Sequence, residues 1–295
     1  MDSGDEKVFV SVGGIVYPRE DAQVSVFDAS FQSGHSVWEG MRVYNGVVFR
    51  LEEHLKRLQE SATAVAIPAP HLEDVRRQIY EVLAANALTD DCHIRMILSR
   101  GERWTSGMDP RNAIGPSTLV IIPERKPVAV EPEPQRLVTA SIRRPGPALQ
   151  DPSIHHSNQL NSILARLEAI RQGADAALML DTGGFIAEAD SANIFCVIDD
   201  ELVTPAIGFF LRGITRRCIL SLARAKGYSV VERNITLAEA YSADEVFITG
   251  TVCEIVPVAE IDGRLISGNS GQNAVWRSLL SDYRDLVASE CAASN

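Results

Sequence analysis

Two histidines stand side by side in the stretch Ile154-His155-His156-Ser157-Asn158-Gln159-Leu160-Asn161. An imidazole titrates at about 6.5 when nothing perturbs it, so either ring could take up and return a proton near neutral pH. Neighbouring side chains on an extended segment point to opposite faces, which leaves one of the pair to serve a site. A second set of candidates is cationic. Arg95, Arg100, Arg103 and Arg111 crowd around a charged loop that also holds Trp104, and Arg57 lies in His54-Leu55-Lys56-Arg57-Leu58. A guanidinium can pair two oxygens of a carboxylate or phosphate at once. Arg212-Gly213-Ile214-Thr215-Arg216 opens a helix, whose first free N–H groups and dipole make an anion site. Lysine is scarce: only Lys7, Lys56, Lys126 and Lys226 occur.

The elements that must hold these residues read as mixed α/β. Val8–Val12 and Gly14–Tyr17 are short strands about Gly13-Gly14, and Met41–Tyr44 and Val47–Leu51 are a pair about Asn45-Gly46, which suits a type I′ turn. Glu52–Ala64 places Leu55, Leu58 and Ala62 on one helical face, and His71–Ala85 does the same with Val75, Ile79, Val82 and Leu83. Strands follow at His93–Ser99 and Thr118–Ile122. The proline-rich, charged stretch 124–135 reads as a linker between an N-terminal domain, 1–123, and a C-terminal one, 136–295. Beyond it, strands at 137–141, 176–180, 192–198, 229–232 and 245–248 alternate with helices at 162–172 and 215–226, and 273–288 closes the chain as an amphipathic helix. Two α/β domains with a cleft between them is the expected fold class.

Bulk properties narrow the partners. A net charge of −11 argues against nucleic acid and anionic membrane surfaces, though not against an anionic ligand held by local arginines. No apolar run approaches the roughly 18 residues of a membrane span, and the acidic start Met1-Asp2-Ser3-Gly4-Asp5-Glu6 is no signal peptide. The five cysteines show no CxxC spacing and read as free thiols of a reducing compartment, so a cytoplasmic location is expected, with no metal centre.

Taken in order, these segments resemble the class IV aminotransferases, the fold of branched-chain aminotransferases, D-amino acid aminotransferases and aminodeoxychorismate lyases. Gly34 to Tyr44 resembles the family's early strand motif, with Trp38 at an aromatic position. His54 to Leu58, Arg212 to Arg216, Phe185-Ile186-Ala187-Glu188, Asn193-Ile194-Phe195 and Thr249 to Val258 match its later segments. The resemblance implies a two-domain fold type IV protein that takes pyridoxal phosphate or pyridoxamine phosphate. It implies that Arg57, Gly213, Ile214, Thr215, Thr251 and Val252 surround the phosphate. Glu188 would pair with the protonated pyridine nitrogen and keep the ring an electron sink. Trp38, Arg95 and Arg103 would face a small carboxylate or amino-acid-like substrate. A homodimer is implied too, and Phe209-Phe210-Leu211 offers an apolar stretch for its contact.

One departure governs the reading. The family's lysine, which holds the cofactor as a Schiff base, falls at His155, or at Ile154 under the other common spacing. Histidine forms no stable imine, so any cofactor is expected to bind noncovalently and ordinary transamination to fail. Gln159 also replaces the aromatic that follows the family's Asn. Two further roles stay open: a cofactor-free enzyme using His155 or His156 as acid–base, and a non-catalytic binding protein.

Overall fold

A computed structural model describes residues 8–206, 208–266, 268 and 274–292. The chain divides into two compact units. The first is Met1–Pro127 with Ile154–Asn158 and Glu290–Asn295; the second is Val128–Ser153 with Gln159–Ser289. The histidine segment therefore belongs to the first unit, although the residues on both sides of it belong to the second.

The first unit is built on β1 (Phe9–Val12), β2 (Ile15–Pro18), α1 (Ala29–Ser33), β3 (Ser36–Tyr44), β4 (Val47–Val48), α2 (Leu51–Ala64), α3 (Leu72–Ala85), β5 (Cys92–Ser99) and β6 (Thr118–Arg125). Its six strands form one antiparallel sheet in the order β2-β1-β6-β5-β3-β4. Val37, Met41 and Val43, on one face of β3, pack with Leu55 and Leu58 of α2 and Val75, Ile79 and Val82 of α3. The apolar spacing read from the sequence thus closes this core. Asn45 and Gly46 both take positive φ, 50° and 76°, as a type I′ turn requires. Strand β3 starts further upstream than expected, because its long partner β5 pairs with it from Ser36 onward.

The second unit contains β7 (Gln135–Thr139), α4 (Leu160–Arg171), β8 (Ala176–Leu180), β9 (Ile186–Ala189), β10 (Asn193–Ile198), β11 (Glu201–Thr204), α5 (Ile214–Ala225), β12 (Ser229–Glu232), α6 (Leu237–Tyr241), β13 (Glu245–Gly250), β14 (Glu254–Ile261), β15 (Arg264–Leu265) and α7 (Val275–Glu290). Its mixed sheet runs β12-β11-β10-β13-β14-β7-β8-β9, with β15 on β14. Strands β8 and β10 read as unbroken apolar runs because nearly all of their side chains are buried. Phe210 is also buried, under the Arg216 guanidinium, while Phe209 and Leu211 on either side of it are half-buried. No described helix is long and apolar enough to cross a membrane.

Candidate functional site

In the first unit the chemistry gathers on one carboxylate. Glu39 shares its strand parity with Val37 and Met41, so it points to the side where α2 packs, and it is 0 % exposed. Its Oε1 accepts from Arg57 Nε at 2.7 Å and lies 3.2 Å from His155 Nδ1. Its Oε2 accepts from Arg57 Nη2 at 2.7 Å and lies 2.7 Å from His54 Nδ1. His54 and Arg57 stand at i and i+3 on α2, the spacing that brings side chains to one helical face.

The segment carrying His155 is pinned to the edge of β3. His156 and Val37 form an antiparallel bridge, Trp38 N donates to the His155 carbonyl at 2.8 Å, and Ser157 N donates to the Ser36 carbonyl at 3.0 Å. Trp38 Nε1 donates to the His156 carbonyl and His155 N to Ser61 Oγ. Gly34, at φ 65°, lets Asn158 approach so closely that a Cβ there would overlap its side chain. The His155 ring lies against the Trp38 indole, centroids 3.9 Å apart, and the residue is 8 % exposed. His156 is half-buried on the other side, its Nδ1 accepting from Asn158 N. Of the adjacent pair, His155 is the one turned to the charged cluster.

The electrostatics of the cluster follow from burial and pairing. Burial pushes the Glu39 carboxyl up, but Arg57 and His155 together outweigh it and hold the group well below the usual carboxylate range. Burial brings His155 down to about 4 against the pull of Glu39, and it lowers His54 as well. At neutral pH the cluster is an Arg–carboxylate ion pair flanked by two neutral imidazoles. The Arg95 guanidinium also stacks on the Trp38 indole, 3.6 Å from its centroid, and makes no hydrogen bond or salt bridge among the described residues. Arg103 instead is buried and donates to the Gly107 carbonyl, so it braces its own loop.

The second unit gathers another set around Asn193. Asn193 Nδ2 donates to Glu188 Oε2 at 3.2 Å and to the Leu211 carbonyl at 2.9 Å, and Asn193 lies opposite Thr249 across β10 and β13. Gly213 is the N-cap of α5, where no side chain caps the helix, and a Cβ there would overlap Asn193 Oδ1. Ile214 and Thr215 are buried in the first turn of α5, and Thr249 Oγ1 is sealed without a hydrogen-bond partner among the described residues. Thr251 and Val252 sit on the turn between β13 and β14, partly exposed. Glu188 is buried beside Arg144, Nε to Oε1 2.7 Å; burial raises its carboxyl, and Arg144 opposes that rise.

The structure thus brings Trp38, Arg57, Arg95 and His155 together in one unit. In the other, Glu188 and Gly213 meet Asn193, Ile214 and Thr215 follow in the first turn of α5, and Thr251 and Val252 lie on the turn after β13. Sequence reasoning missed Glu39, His54 and Arg144. Glu39 was legible: a lone acid among Val37, Met41 and Val43 marks a buried carboxylate in need of a cation. The lysines lie elsewhere: Lys56 is 77 % exposed beside Glu60, Lys126 pairs with Glu124 and Lys226 with Asp282. Lys7 falls outside the described residues. No described group of acids, histidines and cysteines could hold a metal ion.

Residues 36–261 match the family model of the class IV amino-transferases. The chain belongs to that family. It is 44% identical over 284 residues to branched-chain-amino-acid aminotransferase-like protein 2 of Arabidopsis thaliana, covering 95% of this chain and 50% of that protein. It is 39% identical to a putative branched-chain-amino-acid aminotransferase of Methanocaldococcus jannaschii, covering 94% of this chain and 96% of the relative. The branched-chain aminotransferase of the archaeon Thermoproteus uzoniensis, solved with norvaline, superposes with a TM-score of 0.88 at 31% identity, covering 96% of each chain. Another branched-chain amino acid aminotransferase, solved with pyridoxamine 5'-phosphate, gives the same TM-score of 0.88 at 32% identity, covering 96% of this chain and 95% of that one. The chain spans about half the length of the Arabidopsis relatives it matches. The expected fold type IV architecture is therefore shown for this class IV member.

Proposed function

We propose that this class IV member binds pyridoxal phosphate or pyridoxamine phosphate noncovalently in a branched-chain-aminotransferase-like site. The observation that carries the reading is the uncapped start of α5 at Gly213, drawn against Asn193 and through it to Glu188. An uncapped helix start offers free N–H groups to a phosphate, and Thr215 and Thr251 supply hydroxyls beside it. Glu188, with its burial-raised carboxyl, suits a protonated pyridine nitrogen as partner. Val252 would flank the phosphate. The cofactor, when bound, supplies an electron sink for a carbon that bears an amine. The fit stops at the covalent link, since His155 has no amine to offer. Pyridoxamine phosphate carries its own amine and needs none from the protein.

On the substrate side the reading takes a small carboxylate or amino-acid-like ligand. Arg95, stacked on Trp38 and without a salt bridge among the described residues, is the group to receive that carboxylate. Arg103 would act by shaping its loop. Homodimer formation is part of the reading: Leu160, Ile163, Leu164, Leu167 and Ile170 leave an apolar stripe on α4 that is 41–66% exposed, as a second copy of this chain would cover. Free cysteines throughout suit a cytoplasmic protein.

A second reading, cofactor-free acid–base chemistry, draws on the His155–Glu39 contact, with His156 then a bystander. Titration with pyridoxal phosphate and with pyridoxamine phosphate, followed calorimetrically, separates the two. Binding of either that is lost in Gly213→Ala supports the cofactor site. Absence of binding by both overturns it in favour of the cofactor-free or non-catalytic alternative.

A further inference from the structure

Glu39 is surrounded by four donors. Arg57 fills one position on each carboxylate oxygen, Nε on Oε1 and Nη2 on Oε2, and a guanidinium nitrogen can only donate. His54 Nδ1 takes the second position on Oε2 and His155 Nδ1 the second on Oε1. A carboxylate only accepts, so each of these ring nitrogens carries the hydrogen. We propose that Glu39 is a positioning residue that fixes the Nδ1–H tautomer of His155 and leaves Nε2 as the proton-accepting nitrogen at the place the family resemblance assigns to a lysine.

The surroundings hold this arrangement in three ways. The backbone of His155 is tied on both sides, by Ser61 Oγ to its N–H and by Trp38 N–H to its carbonyl, so the ring cannot drift along the strand edge. The Trp38 indole packs against the ring and narrows its rotation. Arg57 already balances the charge of Glu39, so the carboxylate orients the imidazole without pulling a second proton onto it. His155 Nε2 has no hydrogen-bond partner among the described residues. A proton released by a bound ligand would go to the Nε2 lone pair, giving an imidazolium beside the Glu39–Arg57 pair, and would return by the same N–H bond. Glu39 keeps its charge throughout. A buried carboxylate behind a histidine commonly serves to choose which nitrogen faces the reaction.

Glu39, His54, Arg57 and His155 all belong to the first unit, so this arrangement is independent of cofactor binding at α5. Long-range proton–nitrogen correlation spectra of the nitrogen-15-labelled protein test it, since only six histidines contribute. His155→Gln identifies the His155 signals by their disappearance. The expected result at pH 7 is a protonated Nδ1 and a bare Nε2. A bare Nδ1, or two protonated nitrogens, would overturn the proposal. Glu39→Gln leaves one acceptor oxygen for four donors, and the His155 signals are expected to move toward the Nε2–H form; an unchanged tautomer would also overturn it. If that variant does not fold, the spectrum of the natural protein decides alone. Failure of pyridoxamine phosphate to bind would sink the cofactor site and leave this measurement intact.

Discussion

Arg57 meets Glu39 through two parallel bonds of 2.7 Å, Nε to Oε1 and Nη2 to Oε2. Both partners are almost wholly out of water, with side-chain exposures of 11% and 0%. In the family pattern this arginine serves a phosphate, yet here its fork is committed to a strand carboxylate that also orients two histidines. Any ligand role of Arg57 is therefore coupled to the fold of the first unit. Removing one partner of such a pair strands the other's charge in the interior.

Arg57→Ala is expected to lower folding stability by about 3–5 kcal/mol, the usual penalty for leaving a buried charge alone. Arg57→Lys should recover only part of it, because an ammonium cannot span both oxygens. Denaturant midpoints of the three proteins measure this. A loss for the alanine variant within ordinary surface values, under about 0.5 kcal/mol, would show that the pair is not a buried one.

Acid should weaken the protein in a defined window. His155 and His93 sit at about 4 in the fold, lowered chiefly by burial, and His54 is lowered too. In the unfolded chain each protonates near 6.5. As pH falls from about 6.5 to 4 the unfolded state binds protons that the fold refuses, so stability drops. Below about 4.5 Glu39 adds to the loss, because its stabilising charge is present above the unfolded value and disappears as pH falls toward its depressed folded value. Glu188 and Glu245, both raised by burial, act in the opposite sense just above 4.5. Calorimetric melting between pH 7 and 4 should show a continuous fall, and His155→Gln should flatten it. A melting temperature that rises on acidification would contradict the buried, neutral state of these rings.

If His155 stands where the family resemblance implies a lysine, it should decide how a cofactor is held. Incubation with pyridoxal phosphate and borohydride reduction is expected to leave the 154–158 peptide of the natural protein unmodified by mass spectrometry. In His155→Lys the same treatment should fix the cofactor to residue 155. Multiple-turnover transamination by the natural protein should be negligible, since the step that needs a protein amine has none. Sustained turnover with Ile154-His155-His156 intact would refute this account.

The apolar stripe on α4 predicts a second copy against it. Light scattering at micromolar concentration should give about twice the chain mass of 32.2 kDa. Replacing Leu164 and Leu167 by glutamate should bring the mass back to that of one chain, because burying two carboxylates in an apolar contact is prohibitive. A single-chain mass for the natural protein counts against the dimer.

What the sequence determined by itself were the features written in local spacing. The helical periods of α2 and α3, the Asn45-Gly46 turn and the apolar strands of the second sheet follow from side-chain size and backbone preference within a dozen residues. The order of the family motifs was also legible without coordinates. The tertiary structure alone decided how those residues are used. His155 and Glu39 are 116 positions apart, and only the edge of β3 brings them into contact. That packing turned His155 to the cluster and left His156 half-buried, and other contacts buried Phe210 under Arg216 and held Arg103 to the Gly107 carbonyl. Spacing fixes which face of an element a residue occupies, but a residue's partner and protonation depend on what packs against that face, and long-range contacts supply that.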